Sequence, residues 1–553
     1  MHKSASVVIL LGGLVSLALC ISWRYSPSPP LSVTASASVF SADRAFLVLL
    51  ALLREAEPHP VGSAQNTRVR RRIIGHLLKL GYKPSVQRAR ACGRNYRCAD
   101  IHNIVTVIEG SAHLERAIMM SAHYDSTPHG PGAGDNGAGV AALLEIARVL
   151  KDNPPRHDVI LLMDDGEEAG LLGAEAFVDA HPLTQRIGVV INLEARGSSG
   201  PSLMFETSEG DAWLVDRFAT WRGRPTGNSL AATVYDSMPN LTSLTVFKEA
   251  GLQGINFGFI GTPEHYHTPQ DTLENLSTAS LQHQGAQALR TLRDLDAESL
   301  EPSSTHKAIF FDILTLGVIW WPLWFGWILA LMTTVGLACS IRYLCKSGLI
   351  GLSSYLWGLS LPVMVVGITI TSGLTMIAFL RLTGVMKGMW PEMPRLQVTL
   401  FGGVSLTSLG AVSALVGQRA GVWGSWLGLW TWTLLMVIFT TTSLPGASYL
   451  FVAPMLFGLI GTMIGVCARG RGEVSSHWIT IPPWLTAGVL IYPIALLLSD
   501  AMGNTMVWAS GVMISLGTLP MMPALNVQEG RWRWATMSSG LVVSLVALLM
   551  MKI

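Results

Sequence analysis

Eight apolar segments in the C-terminal half limit this chain more than anything else in it: 309–338, 353–380, 397–417, 421–441, 447–467, 483–500, 504–525 and 533–551. Each is close to the ~20 residues that a helix needs to cross a bilayer. Runs of this length and number cannot all be covered in water, so the lipid bilayer is the first partner the sequence implies. Of the 553 residues 50% are hydrophobic and only 13% charged. The imbalance is uneven, because residues from about 25 to 307 carry most of the charge and nearly all the histidines. A domain in water joined to a domain in lipid accounts for that division.

Boundaries follow from the same pattern. His2 and Lys3 precede the apolar run from Ala5 to Trp23, which fits a signal peptide or a first membrane helix. No small-x-small site closes the run, so residues 1–24 read as an uncleaved signal anchor. Residues 25–44 read as a tether, 45–307 as the soluble domain and 308–553 as about eight membrane helices. With a cytoplasmic N-terminus, Arg342, Lys346, Arg419, Arg469, Arg471, Arg531 and Arg533 fall on the cytoplasmic side, as the positive-inside rule requires. Arg381, Lys387 and Arg395 fall on the other side and offend it. This topology puts the soluble domain in the periplasm of a bacterial inner-membrane protein, which the short loops favour, or in the lumen of the endoplasmic reticulum or a vacuole.

Two classes are set aside early. A net charge of +2 with no basic stripe gives no footprint for nucleic acid. Four of the six cysteines lie in or beside apolar spans, leaving Cys92 and Cys98 in "ACGRNYRC" as the soluble pair. An oxidising compartment would join them in a short-loop disulfide, and a zinc site there would lack further cysteines.

In the soluble part, apolar strand-like runs near 102–108, 116–122, 158–164, 187–194 and 254–260 alternate with helical patterns near 45–55, 65–80, 137–151, 170–180 and 276–298. That alternation predicts an α/β sandwich with a largely parallel sheet. Ligands of such sheets sit beyond the carboxyl ends of the strands. The residues found there are His123 and Asp125, then Asp135 and Asn136, Glu167 and Glu168, Glu194, and His265, Tyr266 and His267.

Each has an ordinary explanation: a buried histidine, a helix cap at Asp135, first-turn charges at Glu167 and Glu168. Their coincidence at successive strand ends does not. Mixed imidazole and carboxylate ligands suit zinc, and a shared carboxylate permits two ions about 3.5–4 Å apart. Asp125, two residues past His123, points to the same side and can accept its spare N–H.

In order and spacing, "SAHYDS…GAGDNGAG", "MDDGEEAGLLGAEAF", "NLEARG" and "HYHTPQDT" resemble the zinc peptidase family that includes aminopeptidase Y and the secreted bacterial leucyl aminopeptidases. The resemblance runs from about Pro58 to Leu295 and includes "HPVGS". With the membrane spans, the whole is similar to the branch of the vacuolar membrane protease and the endoplasmic-reticulum metallopeptidase. It implies a three-layer zinc-peptidase domain with a mostly parallel mixed sheet, and two zinc ions. It places His123 and Glu194 on one ion, Glu168 and His267 on the other, and Asp135 between them. Glu167 would be the general base toward the water those ions hold, Tyr266 a donor to the oxyanion, Asp125 the group that orients His123, and Asp271 its counterpart on the His267 loop.

Some positions depart from the pattern or compete within it. Glu194 stands where the secreted enzymes usually have Asp, and "PNLTSL" (239–244) replaces an acidic segment, which puts substrate contacts there in doubt. His265 competes with His267 as ligand, and the Tyr-His-Thr order favours His267. His129 reads as solvated, and Arg196 either neutralises the carboxylates or meets a substrate carboxylate.

The resemblance thus implies a membrane-anchored metallopeptidase acting on peptides, most directly as an aminopeptidase. A glutaminyl cyclase-like enzyme is the alternative on the same scaffold, disfavoured by the complete ligand set. A non-catalytic peptide receptor is another, with the membrane part serving transport or docking. Asp312 and Asp500 fall near span ends and the span interiors are almost free of charge, which speaks against ion-coupled transport.

Overall fold

The computed structural model describes all residues except 1, 95–96, 221–222, 302–305, 387–393, 469–475, 528–529 and 552–553. Lys387, Arg469 and Arg471, used above for topology, lie outside the described residues. The chain divides into two compact units, Tyr25–Pro322 and a second made of Met1–Arg24 with Leu323–Ile553. Helix α1 (His2–Arg24) belongs to the second unit.

The first unit runs α2 (Ala42–Leu52), α3 (Ala64–Lys79), β1 (Ser85–Cys92), β2 (Cys98–Ile108), β3 (Ala117–His123), α4 (Gly139–Asp152), β4 (Val159–Asp164), α5 (Leu172–Ala180), β5 (Ile187–Ala195) and β6 (Ser199–Thr207). It continues with α6 (Ala212–Ala219), α7 (Ser229–Asp236), α8 (Ser243–Glu249), β7 (Gly254–Gly261), α9 (Thr278–Asp296), β8 (Ala308–Asp312) and β9 (Val318–Pro322). The seven-stranded sheet has the order β1-β2-β4-β3-β5-β7-β6. Its middle four strands are parallel, and the flanking pairs are antiparallel.

Burial explains which strands the sequence announces. Every residue of β3 and β4 is buried, as continuous apolar runs require when both faces of a parallel sheet are covered. On one face α2, α3, α4 and α9 pack through Leu49, Ile73, Leu144 and Leu292; on the other α5 and α8 pack through Phe177 and Phe247. These are the three layers. Helix α3 shows the local logic: Ser63 accepts from the Asn66 N–H at its start, Val69, Ile73 and Leu77 line the buried stripe, and Gly81 follows at φ +90°. Cys92 and Cys98 face each other at the hairpin end of the β1–β2 pair, where the chain passes from one strand to the next, and form a disulfide.

Two segments differ from their sequence reading. The Ser- and Pro-rich stretch read as a tether is fastened to the domain: Leu31 N–H donates to Gln282 Oε1 at 2.9 Å, and Arg44 donates to the carbonyls of Val33, Ala35 and Val39. The apolar run read as a span from 309 is strand first. Residues 308–322 form the β8–β9 ribbon, and helix begins only at Leu323. Every residue of β8 is buried, whereas β9 is more open, with Ile319 exposed.

The second unit adds α10 (Leu323–Lys346), α11 (Leu352–Leu382), α12 (Pro394–Leu415), α13 (Gly417–Ser443), α14 (Tyr449–Ala468), α15 (Ser476–Thr518), α16 (Met522–Val527) and α17 (Gly530–Met550). Among the described residues, seven helical segments are long and apolar enough to cross a membrane, one of them within α15 and another running from α15 into α16. Helices α11 and α13 cross where Gly358 leaves no room for a Cβ against the Gly424 carbonyl, the close approach that small residues allow between membrane helices.

Candidate metal centre

The carboxyl ends of the parallel strands converge on one edge, and the sequence-predicted residues meet there. His123 ends β3, and its Nδ1–H donates to the Asp125 carbonyl at 3.0 Å. This aims Nε2 at Asp135 Oδ1, 3.2 Å away, and at Glu194 Oε2, 3.6 Å away. His267 arrives from the loop after β7, and its Nε2 stands 3.1 Å from Asp135 Oδ2 and 3.0 Å from Glu168 Oε1. Asp135 therefore turns one oxygen to each histidine. His123, Asp135 and Glu194 form one triad and Asp135, Glu168 and His267 another, each with its candidate ligand atoms within 4.8 Å of one another.

These separations fit a cation. Two ligands on a tetrahedral zinc with bonds near 2.1 Å stand about 3.4 Å apart, and the pairs above bracket that value. Glu168 Oε1 lies 3.0 Å from His267 Nε2 yet accepts no hydrogen bond, as expected of two lone-pair atoms aimed at a shared point.

The supporting contacts differ from expectation in two places. The Asp125 carboxylate, read as the orienter of His123, stands 3.5 Å from Nδ1, whereas the Asp125 carbonyl is nearer. Its oxygens instead accept the N–H groups of Glu167 at 3.0 Å and Glu168 at 3.3 Å, so it clamps the turn that carries both glutamates. Asp271 likewise holds the Asp135 loop rather than the His267 imidazole, accepting from Gly134 N–H at 2.6 Å and Asp135 N–H at 3.1 Å. Both are carboxylate-to-backbone contacts between loops far apart in sequence, which spacing cannot reveal.

Electrostatics follow from stacking acids in a buried place. Burial pushes the Glu167 carboxyl well up, with Glu194, Glu168 and Asp135 adding to the rise against the opposing charge of His123. Burial and the Asp135 charge bring Glu168 to about 7. Asp271 also reaches about 7, mainly through burial. Burial alone would depress His267, but Asp135 and Glu168 overcome it and raise the imidazole to about 10. Burial raises the Tyr266 phenol beyond its usual range, aided by the same acids, so its hydroxyl keeps its proton. The Tyr266 ring stacks on His267 with centroids 3.7 Å apart.

The remaining candidates stand apart. His265 Nδ1 is engaged with Ser198 Oγ at 2.7 Å, and His129 is exposed. Arg196 belongs to neither triad, and its Nε is buried without a hydrogen-bond partner. In the "PNLTSL" segment Thr242 Oγ1 donates to Glu206 Oε2 and Ser243 Oγ to Asp164 Oδ2, so these hydroxyls serve buried carboxylates. Asn192, absent from the sequence reading, donates to Glu194 Oε1 at 3.1 Å.

Residues 103–292 match the model of peptidase family M28. Endoplasmic reticulum metallopeptidase 1 of Homo sapiens is 32% identical over 256 residues, covering 45% of this chain and 28% of that protein. The vacuolar membrane protease of Candida albicans is 35% identical over 190 residues, covering 34% of this chain and 22% of its own length. The chain thus spans less than a third of either relative. Among solved structures, glutaminyl cyclase of Porphyromonas gingivalis aligns over 46% of this chain and 98% of its own, with 20% identity and a TM-score of 0.38.

Proposed function

We propose that Tyr25–Pro322, the unit containing the M28 match, is the catalytic domain of a membrane-anchored zinc metallopeptidase that removes N-terminal residues from peptides. Two ligand triads sharing Asp135 carry this reading. Zinc held by His123, Asp135, Glu194, Glu168 and His267 would supply Lewis acidity to a water and to the substrate carbonyl. The chain's own groups do the rest. Glu167 is tied into neither triad, and its Oε2 lies 4.0 Å from His123 Nε2, which suits a carboxylate that takes a proton from the attacking water and returns it to the leaving amine. Asp125 holds the Glu167 backbone in place, and the protonated Tyr266 hydroxyl is available to donate to the oxyanion. The domain would face the periplasm, or a lumen in a eukaryotic cell, where the Cys92–Cys98 disulfide is stable.

The test is mass spectrometry of a peptide mixture incubated with the purified, zinc-loaded protein, with Glu167→Gln alongside. Stepwise loss of N-terminal residues, reduced about 10²–10⁴-fold in the variant, is the expected outcome. Conversion of N-terminal glutamine without loss of a residue would replace this reading with cyclisation, and no change in any peptide would replace it with a binding role.

A further inference from the structure

Beneath the metal centre a line of polar residues crosses the middle of the sheet, where apolar side chains would be expected. Ser121 on β3 is in register with Asn192 on β5, Asn192 with Asn256 on β7, and Asn256 with Glu206 on β6. All four are fully buried. Ser121 Oγ donates to Asn192 Oδ1 at 2.6 Å, Asn192 Nδ2 donates to Asn256 Oδ1 at 3.2 Å, and Asn256 Nδ2 donates to Glu206 Oε2 at 2.8 Å. The outer end is closed by Lys248 of α8, whose Nζ is 2.9 Å from Glu206 Oε1 and which reaches solvent. The inner end touches the site through the bond from Asn192 Nδ2 to Glu194 Oε1 at 3.1 Å, while Glu194 Oε2 faces His123.

We infer that this row, polarised by the Glu206–Lys248 pair, fixes the Glu194 carboxylate, and that Asn192 is a positioning residue for the ion held by His123, Asp135 and Glu194. The reasoning rests on the donor inventory and on the two-ion reading above. A carboxylate only accepts, so Asn256 must turn its NH₂ to Glu206 and its oxygen to Asn192. Asn192 must then present its own NH₂ toward Asn256, which is the side on which Glu194 lies, and its oxygen is left for the Ser121 hydroxyl. One reversed amide anywhere would set a carbonyl oxygen against Glu194 Oε1. Glu206, two strands from Glu194, thereby sets which oxygen of Glu194 the Asn192 amide engages, while the other, Oε2, accepts from Asn136 Nδ2 at 3.3 Å and faces His123. The row is satisfied along its length, and Thr242 Oγ1 adds a further donor to Glu206 at 2.8 Å.

The full chain in detergent, freed of metal, is titrated with zinc against a competing chelator, and the zinc-free protein is melted in parallel. Glu206→Gln is nearly isosteric but can donate as well as accept, so it no longer dictates the direction of the row. One of the two zinc equivalents is expected to weaken about 10–100-fold, with the other equivalent and the zinc-free melting temperature unchanged. Asn192→Ala should weaken the same equivalent. Unchanged affinities in both variants would overturn the inference, as would a parallel fall of both equivalents with the melting temperature, the mark of a structural role alone. Wild-type protein binding fewer than two zinc ions would instead overturn the two-ion reading, and the inference with it.

Discussion

The two halves of the centre have similar ligands but different footings. His123 and Glu194 lie at the ends of adjacent inner strands with side chains 1% and 9% exposed, and the buried row donates to Glu194 through Asn192. Glu168 and His267 sit on loops, and the His267 side chain is 37% exposed. One half is built into the sheet and the other is laid over it. Metal affinity depends on how well ligands are held before the ion arrives, so on the two-ion reading proposed above equal chemistry on unequal supports would give one tight site and one labile site.

Asp135 is the residue that would abolish the contrast. Asp135→Ala removes a ligand from both halves at once, and complete loss of peptide turnover with zinc content falling toward none is expected, measured by metal analysis of the purified variant. Retention of a full zinc complement would mean that Asp135 does not bridge. A smaller effect sharpens the comparison: chelator treatment of the wild type should release zinc in two phases, the fast one belonging to the exposed half. His267→Ala should lack the fast phase and His123→Ala the slow one, and a single phase in wild-type protein would show that the supports are equivalent.

The smallest effect is a pH dependence. Glu168 and Asp271 have folded values near 7, above those of free carboxyls, so the stability tied to their protonation is full below about 4 and is lost as pH rises through about 7. Metal-free protein should therefore melt a few degrees lower at about pH 8 than at about pH 6. Zinc, by favouring the ionised carboxylates, should narrow that difference. Equal melting of the metal-free protein at both values would contradict the burial argument.

The inner half was more legible in sequence than its supports were. His123 and Glu194 follow apolar runs that could only be buried parallel strands, so their place at a ligand-binding edge followed from order alone. Strands β1 and β6 escaped because they lie at the sheet edges, where exposed or half-exposed residues such as Arg88 and Ser199 dilute the apolar signal. The polar row escaped for a different reason. Ser121, Asn192, Asn256 and Glu206 are ordinary residues until strand register aligns them, and register is a property of pairing rather than of any one segment. The ribbon at 308–322 misled because aromatic-rich strands and membrane spans share the same hydropathy.

One consequence of the division into units concerns synthesis. Helix α1 belongs with α10 to α17, yet the ribosome makes the whole of residues 25–322 between them. At typical rates of ~5–20 residues per second those residues alone take roughly 15–60 s, and α15, the helix that α1 packs against, is made later still. The sheet and its disulfide would have that interval to form, so a folded domain would already exist when the bundle begins to assemble. A lesion that slows folding of the sheet would then act while α1 still lacks the helices it packs against, before the bundle could assemble.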